Sequence, residues 1–118
     1  MSFDQVANFA YSTVAIAPTP ATTGTSLTVQ TGDGAKFPTP PFNVTVWPNN
    51  VQPIQSNAEI ARVTAIVGDA FTITRGQESS SAQSIAAGWQ IAETWTAKDV
   101  TDMQKQEGLL RPIALMGA

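Results

Sequence analysis

The residues of this chain that could pair for acid–base chemistry are Glu59, Glu78 and Glu93. Glycoside hydrolysis needs two carboxylates facing each other across a cleft, and Glu59 with Glu78 or with Glu93 would be the candidate pairs. Their spacing does not bring them together, and each fits a strand end or a surface. The run Ser79-Ser80-Ser81 would need a general base to become nucleophilic. The chain contains no histidine, so only lysine is left for that role, and the run reads as loop. It contains no cysteine either, which removes disulfides, thiolate metal sites and a thiol nucleophile. A metal site would need all-oxygen ligands from Asp33, Asp69, Asp99 or Asp102. These fall in predicted turns or near a predicted helix start, where aspartate is common for conformational reasons. No catalytic, cofactor or metal residue is assigned, and the chain is expected to be no enzyme, with no small-molecule substrate.

Composition points to assembly. At 118 residues the chain suits one domain, and its charged fraction of 13% is roughly half the usual share. Thr, Ser, Gln, Asn, Ala and Pro take the place of charge, as suits a β-protein that buries much of its exterior against partners. The net charge is −3, and the six basic residues are dispersed along the chain. A nucleic-acid binder needs a basic face to displace counterions, so no nucleic-acid partner is expected. No apolar run approaches the ~20 residues that cross a bilayer, and Met1-Ser2-Phe3-Asp4-Gln5 does not open like a signal peptide. No membrane partner is expected, and assembly is expected in the cytoplasm of the host cell.

The elements that must carry these residues read as strands. The stretch 8–17 is an edge strand ended by Pro18 and Pro20. Ser26–Thr31 is a short strand with Leu27 and Val29 on one face, and Gly32-Asp33-Gly34 is a turn. Phe37-Pro38-Thr39-Pro40-Pro41-Phe42 lacks three backbone donors, so it is either a loop pinned to the core or an arm laid across a neighbour. Strands follow at 43–47 and 58–67. The second carries apolar residues on both faces, which predicts a position between two layers or in an interface. Gly68-Asp69 makes a hairpin turn into 70–74, with Phe71 and Ile73 inward. The stretch 75–87 is the most polar and reads as a mobile loop. Arg75 and Glu78 within it are expected to form a local ion pair or a partner-recognising turn. A final strand covers 88–95. Trp47, Trp89 and Trp95 read as core or interface anchors, with an exposed sugar-stacking platform as the weaker alternative.

At Thr96 the pattern changes. Thr96 and Asp99 resemble a capping box, Val100 and Met103 share a helix face, and Gly108 ends the helix. The expected organisation is a β domain over 1–95, a short helix over 96–108 and an apolar tail over 109–118. The fold class is all-β: a small β-sandwich or barrel with one short C-terminal helix.

Several segments then resemble a known module: 8–15 (NFAYSTVA), 24–29 (GTSLTV), 32–38 (GDGAKFP), 57–64 (NAEIARVT), Gly68-Asp69, 72–78 (TITRGQE) and 96–102 (TAKDVTD). Together they are similar to the N-terminal attachment module of tailed-bacteriophage fibre and minor structural proteins, over most of residues 8–102. The Thr74-Arg75-Gly76-Gln77-Glu78 element is the most specific part. In larger proteins the module precedes a distal fibre or sugar-processing domain, which is not seen after residue 102 here. The resemblance implies a structural protein of the virion. As a stand-alone copy it would be an accessory subunit on the particle surface, such as a capsid decoration protein or head-fibre or spike base. A tail-fibre or baseplate adaptor is the alternative, and a carbohydrate-binding module is less favoured. Expected partners are the chain itself, as a homotrimer, and other virion proteins such as the major capsid or tail proteins. The partner-contact candidates are Phe3, Phe9, Tyr11, Phe37, Phe42, Arg75, Glu78, Val100, Met103, Leu109, Leu110, Ile113 and Leu115.

Overall fold

A computed structural model describes residues 4–94, 96 and 97. Six strands run in the order β1 (Tyr11–Ile16), β2 (Ser26–Val29), β3 (Phe42–Trp47), β4 (Glu59–Val67), β5 (Ala70–Thr74) and β6 (Gln90–Ala92), with a 3-10 turn at Asp33–Lys36. They close into an antiparallel barrel in the order β1-β2-β5-β4-β3-β6. The all-β class holds, and the architecture is the barrel. Closure leaves every strand with two neighbours, so β1 is not an edge: it pairs with both β2 and β6. The predicted helix over 96–108 lies outside the described residues but for its first two.

Alternation along each strand fills the interior. In β1 the small residues Ser12 and Val14 are buried while Tyr11 is exposed. In β3 Phe42, Val44 and Val46 face inward and are fully buried, and in β5 Phe71 and Ile73 do the same. The core therefore sits inside the barrel and is built of large aliphatic and aromatic side chains from all six strands.

Two bulges set the outer surface. In β4 the residues Glu59, Ala61 and Val63 point inward, and the register with β5 then shifts between Val63 and Ala65. An extra residue in one strand moves the inward position by one, so Ile66 packs against the core while Val67 is 79% exposed. This accounts for the apolar residues on both faces of β4: the strand lies in one barrel wall and changes parity at Thr64. A second bulge between Val14 and Ile16 turns Ile16 outward beside Thr28.

Phe37 and Phe42 belong to the interior. Their rings stack with centroids 6.1 Å apart, and Phe37 meets Phe71 edge-on at 4.9 Å. The proline-rich segment between them is thus a loop pinned at both ends, not an arm. Its prolines lack donors, and the flanking aromatics supply the holding energy by burial.

Candidate functional site

The chain's most distinctive sequence, Thr74 to Glu78, leads directly off β5. Arg75 turns inward, beside the start of β4, and meets Glu59. Glu59 is fully buried and Arg75 has a side chain only 9% exposed. Arg75 Nε donates to Glu59 Oε2 at 2.7 Å, and a terminal nitrogen donates to Oε1 at 2.8 Å. The remaining guanidinium hydrogens go to the carbonyls of Ala21 (3.0 Å), Gly24 (2.9 Å) and Gln83 (2.6 Å). All five N–H donors of the arginine are used. Glu59 accepts two further bonds, from the backbone N–H groups of Gly76 (2.9 Å) and Gln83 (2.8 Å). One ion pair thus ties together β4, the 18–25 loop and both ends of the polar 75–83 segment. A buried pair is tolerable only when its other donors and acceptors are satisfied, and here they are.

Two expectations are corrected by this geometry. Arg75 does not pair with Glu78, and the 75–87 stretch is not a loose loop. Gln77 N–H donates to the Ile60 carbonyl at 2.7 Å, and Ser80 Oγ accepts the Ile60 N–H at 2.9 Å. Ile85, inside this polar stretch, is 1% exposed and joins the core. Polar composition suggested mobility, but its polar atoms are spent on β4 and on the clamp.

Glu78 serves a second network on the outer wall. Asn43 donates from Nδ2 to Glu78 Oε2 at 2.6 Å and accepts from Arg62 at 2.9 Å. Arg62 in turn holds Asp4 through two bonds of 3.1 Å. The register that places Asn43 opposite Arg62 on β3 and β4 makes this contact. Asp4 lies far upstream, so the network straps the N-terminal segment across the barrel. Glu93 fixes the same segment further along: its carboxylate accepts the Ala7 N–H at 3.2 Å, and its own N–H donates to the Ala10 carbonyl at 3.0 Å.

Between these ties the segment presents apolar side chains. Phe9 is 90% exposed, Val6 69% and Tyr11 44%. Phe9 also has φ of 60°, a left-handed conformation that a bulky side chain rarely adopts. Of the contact candidates, Phe9 and Tyr11 lie on the surface. Phe37, Phe42 and Arg75 are used by the barrel itself, and Glu78 is partly buried against Asn43. Phe3, Val100, Met103, Leu109, Leu110, Ile113 and Leu115 lie outside the described residues. Val6, Ile16, Val51, Ile54 and Val67 are exposed apolar residues that the sequence reading passed over. For Ile16 and Val67 the signal was hidden by the bulges.

The other chemical candidates are dispersed by the fold. Glu59 is sealed in the interior, Glu78 is on the β3 side and Glu93 follows β6, so the three do not share a cleft. Asp33 accepts from Ser12 Oγ at 2.7 Å and pairs with Lys36 at 3.1 Å. The Ser12 hydroxyl first, and then Lys36, hold its carboxyl below the ordinary aspartate value. Asp69 accepts from the N–H groups of Gly32 (3.1 Å) and Gly34 (2.9 Å). It thereby docks the β4–β5 turn onto the 3-10 turn so closely that a Cβ on Gly34 would overlap the Gly68 carbonyl. Among the described residues no cluster of three His, Cys, Asp or Glu could hold a metal ion. Trp47 is 9% exposed and so presents little surface for a sugar; Trp95 lies outside the described residues. The chain matches no family model, and no curated protein is significantly similar to it.

Proposed function

We propose that the chain is a non-enzymatic structural subunit of a tailed-bacteriophage particle, an accessory protein on the particle surface that works through contacts with other copies and with other virion proteins. The reading rests on the resemblance of segments between 8 and 102 to the fibre and minor-structural-protein module. One structural observation carries it further: the N-terminal segment is tied at Asp4, Ala7 and Ala10 and holds Phe9 out into solvent at 90% exposure. Large aromatics fixed on the surface are the usual anchors of protein interfaces. The Thr-Arg-Gly-Gln-Glu element has a role within this reading. Through Arg75 and the clamp it builds the barrel.

The test is localisation of this chain in purified particles by cryo-electron microscopy. Density on the capsid lattice is the expected result and makes the chain a decoration subunit or a head-fibre or spike base. Density confined to the tail would replace this with the fibre or baseplate adaptor. Absence from purified particles would overturn the virion reading.

A further inference from the structure

The barrel carries a second exposed apolar region, away from Phe9. Strand register aligns Ile16 with Thr28, Thr28 with Ala70, and Ala70 with Val67. These four residues form one row across β1, β2, β5 and β4 on the outer wall. Ile16 is 63% and Val67 79% exposed. The adjoining row adds Thr72 opposite Ala65, both exposed. No charged side chain stands in either row, although the whole chain carries a net charge of −3.

We propose that copies of this chain associate head to tail, with Phe9 of one copy seated on this uncharged face of the next. The inference deepens the structural reading above by naming the contact between copies. Three observations carry it. First, Phe9 is an anchor already in place, held between the tied residues Ala7 and Ala10 in a backbone conformation disfavoured for phenylalanine; such strain is characteristic of functional positions. Second, an aromatic anchor loses least on a surface that has no charge to desolvate, and two acidic chains meet with least repulsion where neither presents charge. The two rows satisfy the first condition and add no charge of their own to the contact, whereas the knob side is flanked by Asp4, Arg62 and Glu93. Third, the geometry makes the contact intermolecular. Tyr11 and Ile16 stand at opposite ends of β1, roughly 15 Å apart at about 3.3 Å per residue. Phe9 precedes Tyr11, so it lies beyond reach of its own chain's face. Knob and receiving face are different surfaces, which makes the contact heterologous. A heterologous contact closes into a ring when its rotation permits, and the expected homotrimer is one such ring.

The absence of cysteine makes the test clean. Two full-length single variants are prepared, Asn8→Cys beside the knob and Thr72→Cys in the face; both positions are exposed. They are mixed under mild oxidation and separated without reductant. The expected result is a mixed disulfide between the two variants in about tenfold excess over either homodimer, and loss of about that factor when Phe9→Ser is added to the Asn8→Cys chain. A statistical mixture of the three dimers would overturn the proposal. So would a predominance of Thr72–Thr72 or Asn8–Asn8 homodimers, which reports an isologous contact, and so would a yield indifferent to Phe9→Ser. Each outcome is read on purified protein and is independent of where the chain sits in a particle, so the contact and the virion reading can fail separately.

Discussion

Among the described residues two bidentate arginine–carboxylate pairs stand in opposite surroundings: Arg75 grips Glu59 side-on at 2.7 and 2.8 Å, and Arg62 meets Asp4 end-on at 3.1 Å. Arg75 and Glu59 are enclosed, with every donor and acceptor on the two ionic groups matched by protein. Arg62 and Asp4 sit on the outer wall, and Arg62 keeps 24% of its side chain exposed. Asp4 is only 7% exposed, so water reaches the second pair mainly from the Arg62 side, and it does not reach Glu59 at all. The two pairs therefore differ in what breaking them costs, more than in what forming them contributes. The inner pair fixes the barrel, and the outer pair fixes the segment that presents Phe9.

The largest effect is expected from Arg75→Ala, which leaves the Glu59 carboxylate buried without its counter-charge. A loss of about 3–5 kcal/mol is expected from equilibrium urea unfolding, a large part of the stability of a domain this small. The sharper test removes both partners. Many buried ion pairs can be exchanged for apolar residues at little cost. Here the pair also satisfies five backbone groups: the carbonyls of Ala21, Gly24 and Gln83 and the N–H groups of Gly76 and Gln83. Glu59→Leu combined with Arg75→Leu should therefore stay at least about 2 kcal/mol below wild type, since each orphaned buried group costs about 1–3 kcal/mol. A double variant as stable as wild type would show that those backbone groups do not depend on the clamp.

Ile85→Ala comes next, at about 2–4 kcal/mol, because Ile85 is fully buried in a stretch otherwise rich in Ser, Ala and Gln. Unfolding within a few tenths of wild type would return the 75–87 stretch to a dispensable loop. This residue also marks the limit of what was legible in the chain. The β4–β5 hairpin was plain: alternation of period two, a Gly68-Asp69 turn and inward Phe71 and Ile73 are local signals. Phe37 and Phe42 were read as either core or arm, since sequence does not tell which way a proline-bound aromatic turns. The partner of Arg75 was missed because proximity in sequence favoured Glu78, three residues on. Glu59 lies across the hairpin, and only the bulged register brings it near. The bulges at Ala15 and Thr64 were equally silent, and with them the outward turn of Ile16 and Val67. A bulge is one residue gained against a neighbouring strand, so it becomes visible only once the pairing is known.

Arg62→Ala should cost about 1–2 kcal/mol, less than Arg75→Ala, because Arg62 is partly solvated while Asp4, 7% exposed, and the buried Asn43 each lose a donor. Its cost should also shrink when salt is raised to about 1 M, where screening reaches within about 3 Å, whereas the cost of Arg75→Ala should not. Equal salt dependence of the two variants would erase the distinction between inner and outer pairs. The same substitution removes the Arg62 tie to Asp4, so the Asn8–Thr72 cross-link should fall with Arg62→Ala even while the barrel stays folded.

The smallest effect concerns Asp33, whose carboxylate is held by a hydroxyl and a lysine. Its folded pKa lies below the ordinary 3.8. A depressed carboxylate stabilises the fold above its unfolded value, and that contribution is lost as pH falls through the folded value. The window is therefore acid, beneath about pH 4; near neutrality the contribution is fully present and no pH dependence is expected from this group. Ser12→Ala removes the first cause of the depression and leaves Lys36 in place. The Asp33 midpoint, followed by its carboxyl carbon shift in an NMR titration, should move up toward 3.8 without reaching it. Ser12 is itself buried and accepts the Gln30 N–H at 3.3 Å, so the variant will also lose some stability at every pH. Only the part that disappears on acidification belongs to Asp33. An unmoved midpoint would assign the depression to Lys36 alone and leave the Ser12 hydroxyl as a tie between β1 and the residues that follow β2.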